Sequence, residues 1–106
     1  MLNQLTLVGR LVRNPEVTTS NDTKYSHITI AVPRSYKNVN GEYETDFIPV
    51  QLLKGIAENT VEYCKKGDLV GVKGRIQSNE NGIYLLAEKI TFLSSKKKIK
   101  TSFLFF

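Results

Sequence analysis

The sequence predicts an all-β domain with one helix: a five-stranded barrel with the helix between the third and fourth strands. Three observations carry this. Several short segments alternate apolar and polar residues at period two, as half-buried strands do. Only one segment has helical spacing, and it falls after the third strand. The 106-residue chain, 41% hydrophobic and 24% charged, can build one core and little more.

The first strand is NQLTLVGRL. Leu5, Leu7, Gly9 and Leu11 point one way, and Thr6, Val8 and Arg10 the other. Asn14-Pro15 breaks it, and TTSNDT reads as a turn. The second strand, YSHITIAV, sets Ile28, Ile30 and Val32 toward the core. A hairpin around Asn40-Gly41 leads into the third strand, DFIPVQLL. There Ile48, Val50 and Leu52 face inward, and Phe47, Pro49, Gln51 and Leu53 share the outer face. Pro49 has no N–H for a ladder, so it belongs at an edge or a bulge.

GIAENTVEYCKKG is the helix. Ile56, Ala57, Thr60, Val61 and Cys64 form its apolar stripe, Lys65 and Lys66 its last turn, and Gly67 its stop. The fourth strand, DLVGVKGRIQ, places Val70, Val72 and Ile76 on one face and Leu69, Gly71, Lys73 and Arg75 on the other. After a tight NENG turn, IYLLAEKITFL is the fifth strand. This element order is that of an OB-fold barrel, with the helix plugging one end. The barrel domain is expected over residues 1–95, followed by a short basic and aromatic tail over 96–106.

Composition narrows the function. One cysteine, Cys64, excludes an intrachain disulfide, and one Cys with one His cannot build a zinc site. The N-terminus lacks a basic leader followed by an apolar run, and no stretch is long enough to span a membrane. A cytoplasmic protein without cofactor or metal is the expectation. The net charge of +5 is uneven: residues 1–95 hold 11 Lys/Arg against 10 Asp/Glu, and the tail adds Lys96, Lys97, Lys98 and Lys100. Bulk charge therefore says little, and the placement of cations must carry any argument for nucleic acid.

That placement is informative. The outer barrel face can collect Arg10, Phe47, Gln51, Leu53, Lys73 and Arg75, with Tyr36 reached from the RSYKNVNGEYETDF hairpin. Cations track a phosphate backbone, and every base has a π-face that can stack on an aromatic ring. The same rings would equally seal a barrel rim or a subunit contact; the residue pattern leaves both open.

NQLTLVGRLVRNPEV, HITIAVPRSYKN, AENTVEYCKKGDLVGVKGRIQ and the final strand resemble the bacterial and phage single-stranded DNA-binding proteins of the homotetrameric OB-fold type. The similarity runs from about Met1 to Leu93. It implies a homotetramer, not an enzyme, that binds single-stranded DNA without sequence preference in replication, recombination and repair. Carried over by position, Tyr36 and Phe47 are base-stacking sites. Leu53 stands where the family has a third aromatic and should stack more weakly. The usually longer hairpin between the last two strands, with its own stacking aromatic, is cut to SNENG, and Tyr84, the first aromatic after it, is the remaining stacking candidate. Arg10, Arg34, Lys37, Lys73 and Arg75 are the candidates for phosphate contacts. The family typically ends in an acidic tail that recruits partners. No acid follows Glu88 here, so recruitment by that route is not expected.

Other readings compete. A tailless, dimeric OB-fold accessory or replication-restart factor would share most of these residues. An OB-fold nuclease needs clustered carboxylates and a metal. Glu42, Glu44 and Asp46 could supply the carboxylates, but a solvated hairpin edge is the simpler reading of them. A purely structural domain would not need rings and cations on one side. GVKGR lacks the spacing of a phosphate-binding loop, and its glycines suit close packing or strand curvature. His27 reads as a surface residue and Cys64 as a small core residue.

Overall fold

The structure, a computed structural model, describes residues 1–93. The expectations for the tail and for a boundary at residue 95 lie outside the described residues. Seven elements follow in order: β1 (Leu5–Leu11), β2 (Thr18–Ser20), β3 (Thr23–Lys37), β4 (Tyr43–Leu53), α1 (Lys54–Tyr63), β5 (Leu69–Asn79) and β6 (Gly82–Phe92). They form one sheet of order β1-β5-β6-β4-β3-β2, and β1 also pairs with β3. That second pairing, Arg10 with Ala31 and Leu11 with Ile30, closes the barrel. All pairings are antiparallel except β4–β6, which is parallel at Val50–Leu85 and Gln51–Leu86.

The alternating residues behave as their spacing demands. Ile28, Ile30, Val50, Leu52, Val70, Val72, Leu85, Ile90 and Phe92 fill the barrel, with Leu11 and Ala87. Each large apolar side chain so buried contributes roughly 1.5–3 kcal/mol. Two glycines set how closely strands approach. A Cβ on Gly9 would stand 2.6 Å from the Ala31 carbonyl oxygen, at the closing seam. A Cβ on Gly74 would run into the Leu86 carbonyl of β6, next to an irregularity where Lys73 pairs with Lys89 but Gly74 with Ala87. Pro49 lies where β4 is paired by β3 alone, since β6 joins at Val50.

The five-stranded barrel with one helix stands as expected, with four differences of detail. A sixth strand exists: TTSNDT is β2 and the turn into β3, with Asn21 and Asp22 both at positive φ. The helix therefore falls between β4 and β5. It is also shorter at its C-terminal end than its periodicity suggests. Cys64 is already extended, and Lys65, Lys66 and Gly67 lie beyond the helix. Their N–H groups are drawn elsewhere: Lys65 donates to the Asp68 carboxylate, Lys66 to Asn14 Oδ1, and Gly67 to the Leu11 carbonyl. Those bonds dock the segment on the end of β1 and compete with another helical turn. Finally, Ile76 is 38% exposed rather than in the core, because β5 runs out past the barrel into the hairpin with β6.

The helix itself has a weak start. Leu53 at the N-cap offers no capping side chain, the first turn has no acid, and Lys54 adopts φ 52. Burial of Ala57 and Thr60 against the barrel holds it in place. Cys64 is buried there too, and desolvation, with the nearby Asp68 charge, pushes its thiol up to about 12. It stays protonated at neutral pH and is a packing group.

Candidate nucleic-acid interface

The outer face of β3 and β4 is a continuous wall. Cross-strand partners share a face, so Tyr25 stands beside Leu53, His27 beside Gln51, Thr29 beside Pro49 and Ala31 beside Phe47. Adjacent strands extend these rows. Arg10 of β1 is paired with Ala31, so a cation, a small residue and an aromatic ring run in one line across three strands. Arg75 of β5 pairs with Leu86 of β6, which pairs with Gln51 and so with His27. At about 4.8 Å per strand, each row is of nucleotide dimensions.

Phe47 is 62% exposed. Below it, His27, Pro49 and Gln51 form one side of a cleft of about 200 Å³. Asn79, Asn81, Ile83 and Tyr84, at the tip of the β5–β6 hairpin, form the other. Tyr84 is half-buried and donates its hydroxyl proton to Gln77 Oε1 at 2.9 Å, which fixes the ring at the cleft wall. The cleft presents amide, imidazole and ring faces together, which suits a base better than a phosphate.

The remaining candidates are scattered. Lys73 lies in a different row, between Thr6 of β1 and Lys89 of β6 on the β1–β5–β6 wall. Arg34 is committed to two carboxylates: Nε and Nη2 donate to Asp46, and Nη1 donates to Glu44 Oε2 at 2.6 Å. The bond with Asp46 holds that carboxyl below its ordinary value of 3.8 and raises the affinity of Arg34 for its own proton. The guanidinium thus reaches any phosphate only in competition with two fixed acids. Tyr36 is 64% exposed and two residues from Arg34, so it alternates onto that same face of the ribbon, opposite Phe47. Lys37 pairs with Tyr43 and stands over its ring, 5.7 Å from the centroid. Arg10 lies on the outer wall and donates to the Gly67 carbonyl at 3.0 Å. The acidic hairpin does not gather into a metal centre: among the described residues no group of three or more His, Cys, Asp or Glu is placed to hold an ion.

The comparisons with known proteins identify the family. Residues 2–82 match the single-strand binding protein family. The chain belongs to that family. It is 43% identical to single-stranded DNA-binding protein B of Bacillus subtilis, over 96% of this chain and 99% of that protein. It is 41% identical to single-stranded DNA-binding protein 1 of Clostridium acetobutylicum, over 92% and 98%. A Staphylococcus aureus single-stranded DNA-binding protein 1 is 41% identical over 95% of this chain but 71% of its own, longer length.

Within this member of the single-strand binding family, the structure gives four residues neighbours that sequence reading did not assign. Tyr25 is cross-strand from Leu53, so the aliphatic position has a ring beside it, packed edge-on to His27 at 5.2 Å. A period-two count from Ile28 puts both Tyr25 and His27 on the outer face, and that signal was available. Tyr43 shares the Phe47 face by the same count along β4. Asn38 carried no signal of this kind. Its Oδ1 accepts N–H groups from Asn40 and Glu42, and its Nδ2 donates to Glu44, so one side chain shapes the ribbon tip.

Proposed function

We propose that this chain binds single-stranded DNA without sequence preference, in replication, recombination and repair, in the cytoplasm. The observation that carries the reading is the Arg10–Ala31–Phe47 row: an exposed ring with a cation in line on the wall the β5–β6 hairpin overhangs. Bases stack on Phe47 and at the Tyr84 cleft, with Leu53 and its neighbour Tyr25 forming a weaker platform. Stacking of this kind is worth ~1–3 kcal/mol per base and tolerates any sequence. Tyr36 stacks from the other face of the ribbon, which requires the strand to pass around the ribbon edge. Arg10, Lys37 and Arg75 contact phosphates along the wall. Lys73 contacts them where the strand continues onto the β1–β5–β6 wall, and Arg34 does so only where phosphate displaces an acid.

The active form we propose is a homotetramer. Over Leu5–Gly9, β1 is paired by β5 on one side only, which leaves a strand edge. Beside that edge, Val8 is 49% exposed over Gly71, Thr91 and Leu93, a groove of about 230 Å³ that Thr6, Lys73 and Lys89 also line, so Lys73 meets DNA only where the subunit contact leaves it free. An open edge next to apolar surface suits self-association.

One experiment tests both statements. Oligo-dT of graded length is titrated into the protein while stoichiometry and mass are measured, with duplex of equal length as the control. Tight binding of oligo-dT by a species of four chains is expected. Equal affinity for duplex, or a monomer at micromolar concentration, would overturn the corresponding half.

A further inference from the structure

We infer that Tyr43, with Lys37 held over its ring, is a further base-stacking site that carries the DNA platform outward from Phe47 along the β3–β4 ribbon. This rests on the proposed binding of single-stranded DNA to the outer wall.

Four observations converge on it. Tyr43, Thr45 and Phe47 alternate onto one face of β4, so the two rings stand four residues apart, about 13 Å along the strand. Between them lie only Thr45 and its partner Pro33, which leave the path over the face low and open. Tyr43 is 61% exposed, as open as Phe47, and among the described residues its one ring contact is with the Lys37 ammonium. That ammonium can stay near the ring while it meets the phosphate next to a stacked base, so one pair of residues supplies both halves of a nucleotide grip.

The ribbon is also stiff where it needs to be. Arg34 ties β3 to Asp46 and Glu44 of β4, and Asn38 closes the tip. A ring on such a support is placed before DNA arrives, so little entropy is lost in ordering it. The arrangement sorts charge as well. Glu44 and Asp46 lie with Arg34 on the opposite face, so the Tyr43 face meets phosphate with Lys37 and without those two carboxylates.

The chain has no tryptophan, so Tyr43→Trp and Phe47→Trp each provide a single fluorescent reporter. Oligo-dT should quench both. It should bind the Tyr43→Ala protein at least about 5-fold more weakly than wild type, with an unchanged salt dependence. Tyr43→Phe should bind like wild type, since the ring and not the hydroxyl stacks. Lys37→Ala should instead lower the log–log salt slope by about 0.7. If Phe47→Trp is quenched while Tyr43→Trp is silent and Tyr43→Ala binds normally, the Tyr43 site is overturned and the wall stands. If neither reporter responds, the binding wall itself is misplaced. If Tyr43→Ala changes the sedimenting mass, Tyr43 is a contact between copies of the chain and the inference fails.

Discussion

Two hairpins flank the candidate DNA wall, and they reach rigidity by different means. The β3–β4 ribbon is long, with an irregular pairing between Pro33 and Lys37, and it is stiffened by side chains: Arg34 across to Asp46 and Glu44, and Asn38 across its tip. The β5–β6 hairpin is tight, its irregularity lies back at Lys73–Gly74, and it is held by close backbone packing, with Tyr84 donating to Gln77 and the Asn81 N–H to Asn79 Oδ1 beside it. Gly74 lets Leu86 lie directly against it, and Asn79 pairs with Gly82 around a two-residue turn. The difference tracks what each hairpin exposes. The ribbon shows rings on both faces and has no core to lean on, so polar bonds must hold its shape. The shorter hairpin starts from the barrel and can use close packing.

The largest expected effect breaks the second device. Gly74→Ala should cost about 3 kcal/mol or more, because backbone and not a flexible side chain fills the space. Chemical denaturation checks it, and a loss below about 1 kcal/mol would show that β6 can retreat at that point. Next comes the ribbon's outer face. Phe47→Ala should weaken oligo-dT binding by roughly 1–3 kcal/mol with folding intact and the salt slope unchanged. A normal affinity would assign the ring to a subunit contact.

A smaller effect separates the walls. Arg75→Ala should lower the log–log salt slope by about 0.7 even on short oligonucleotides, since Arg75 lies in the row of Gln51. Lys73→Ala should do so only on strands long enough to leave the β3–β4 wall. Equal effects at every length would mean that both cations face one path.

The smallest effect concerns acid. Asp46 is held below 3.8 by Arg34, so the tie is complete above that value and is lost as pH falls through the depressed one. The ribbon should loosen there while the β5–β6 hairpin, which among the described residues has no such pair at its turn, should not. Amide signals of residues 34–46 followed from pH 5 downward would show it.

The fold was legible in the sequence because its strands are half-buried. Leu5, Leu7, Gly9 and Leu11 against Thr6, Val8 and Arg10 can be read only as one inward and one outward face, and the structure keeps both. The helix end was not legible, since Lys65 and Lys66 look like a last turn until Asn14 and Asp68 claim their N–H groups. Ile76 misled for a related reason. Alternation says which side a residue takes, but not whether the barrel still stands behind it. The candidate interface was half legible. Spacing along a strand collects Phe47 with Gln51, but the neighbours across strands depend on register. That is why Tyr25 stood beside Leu53 unnoticed, and why Tyr36 and Phe47 could be grouped although the ribbon separates them.

The barrel is a ring with a clasp. Its closing join is the pair Arg10–Ala31 and Leu11–Ile30, extended by the Val12 N–H donating to the Thr29 carbonyl at 3.0 Å. This join and the β4–β6 join, each of two residue pairs, are where such a ring should breathe first. Opening of the β1–β3 join would draw Arg10 away from Ala31 and so from the Phe47 ring. A strand of DNA lying across that row would act as a stitch, holding the clasp shut by bridging its two sides. The grip on the ligand and the wholeness of the barrel would then be one quantity, seen in the slower deuterium uptake of Val12 and its neighbours when DNA is bound.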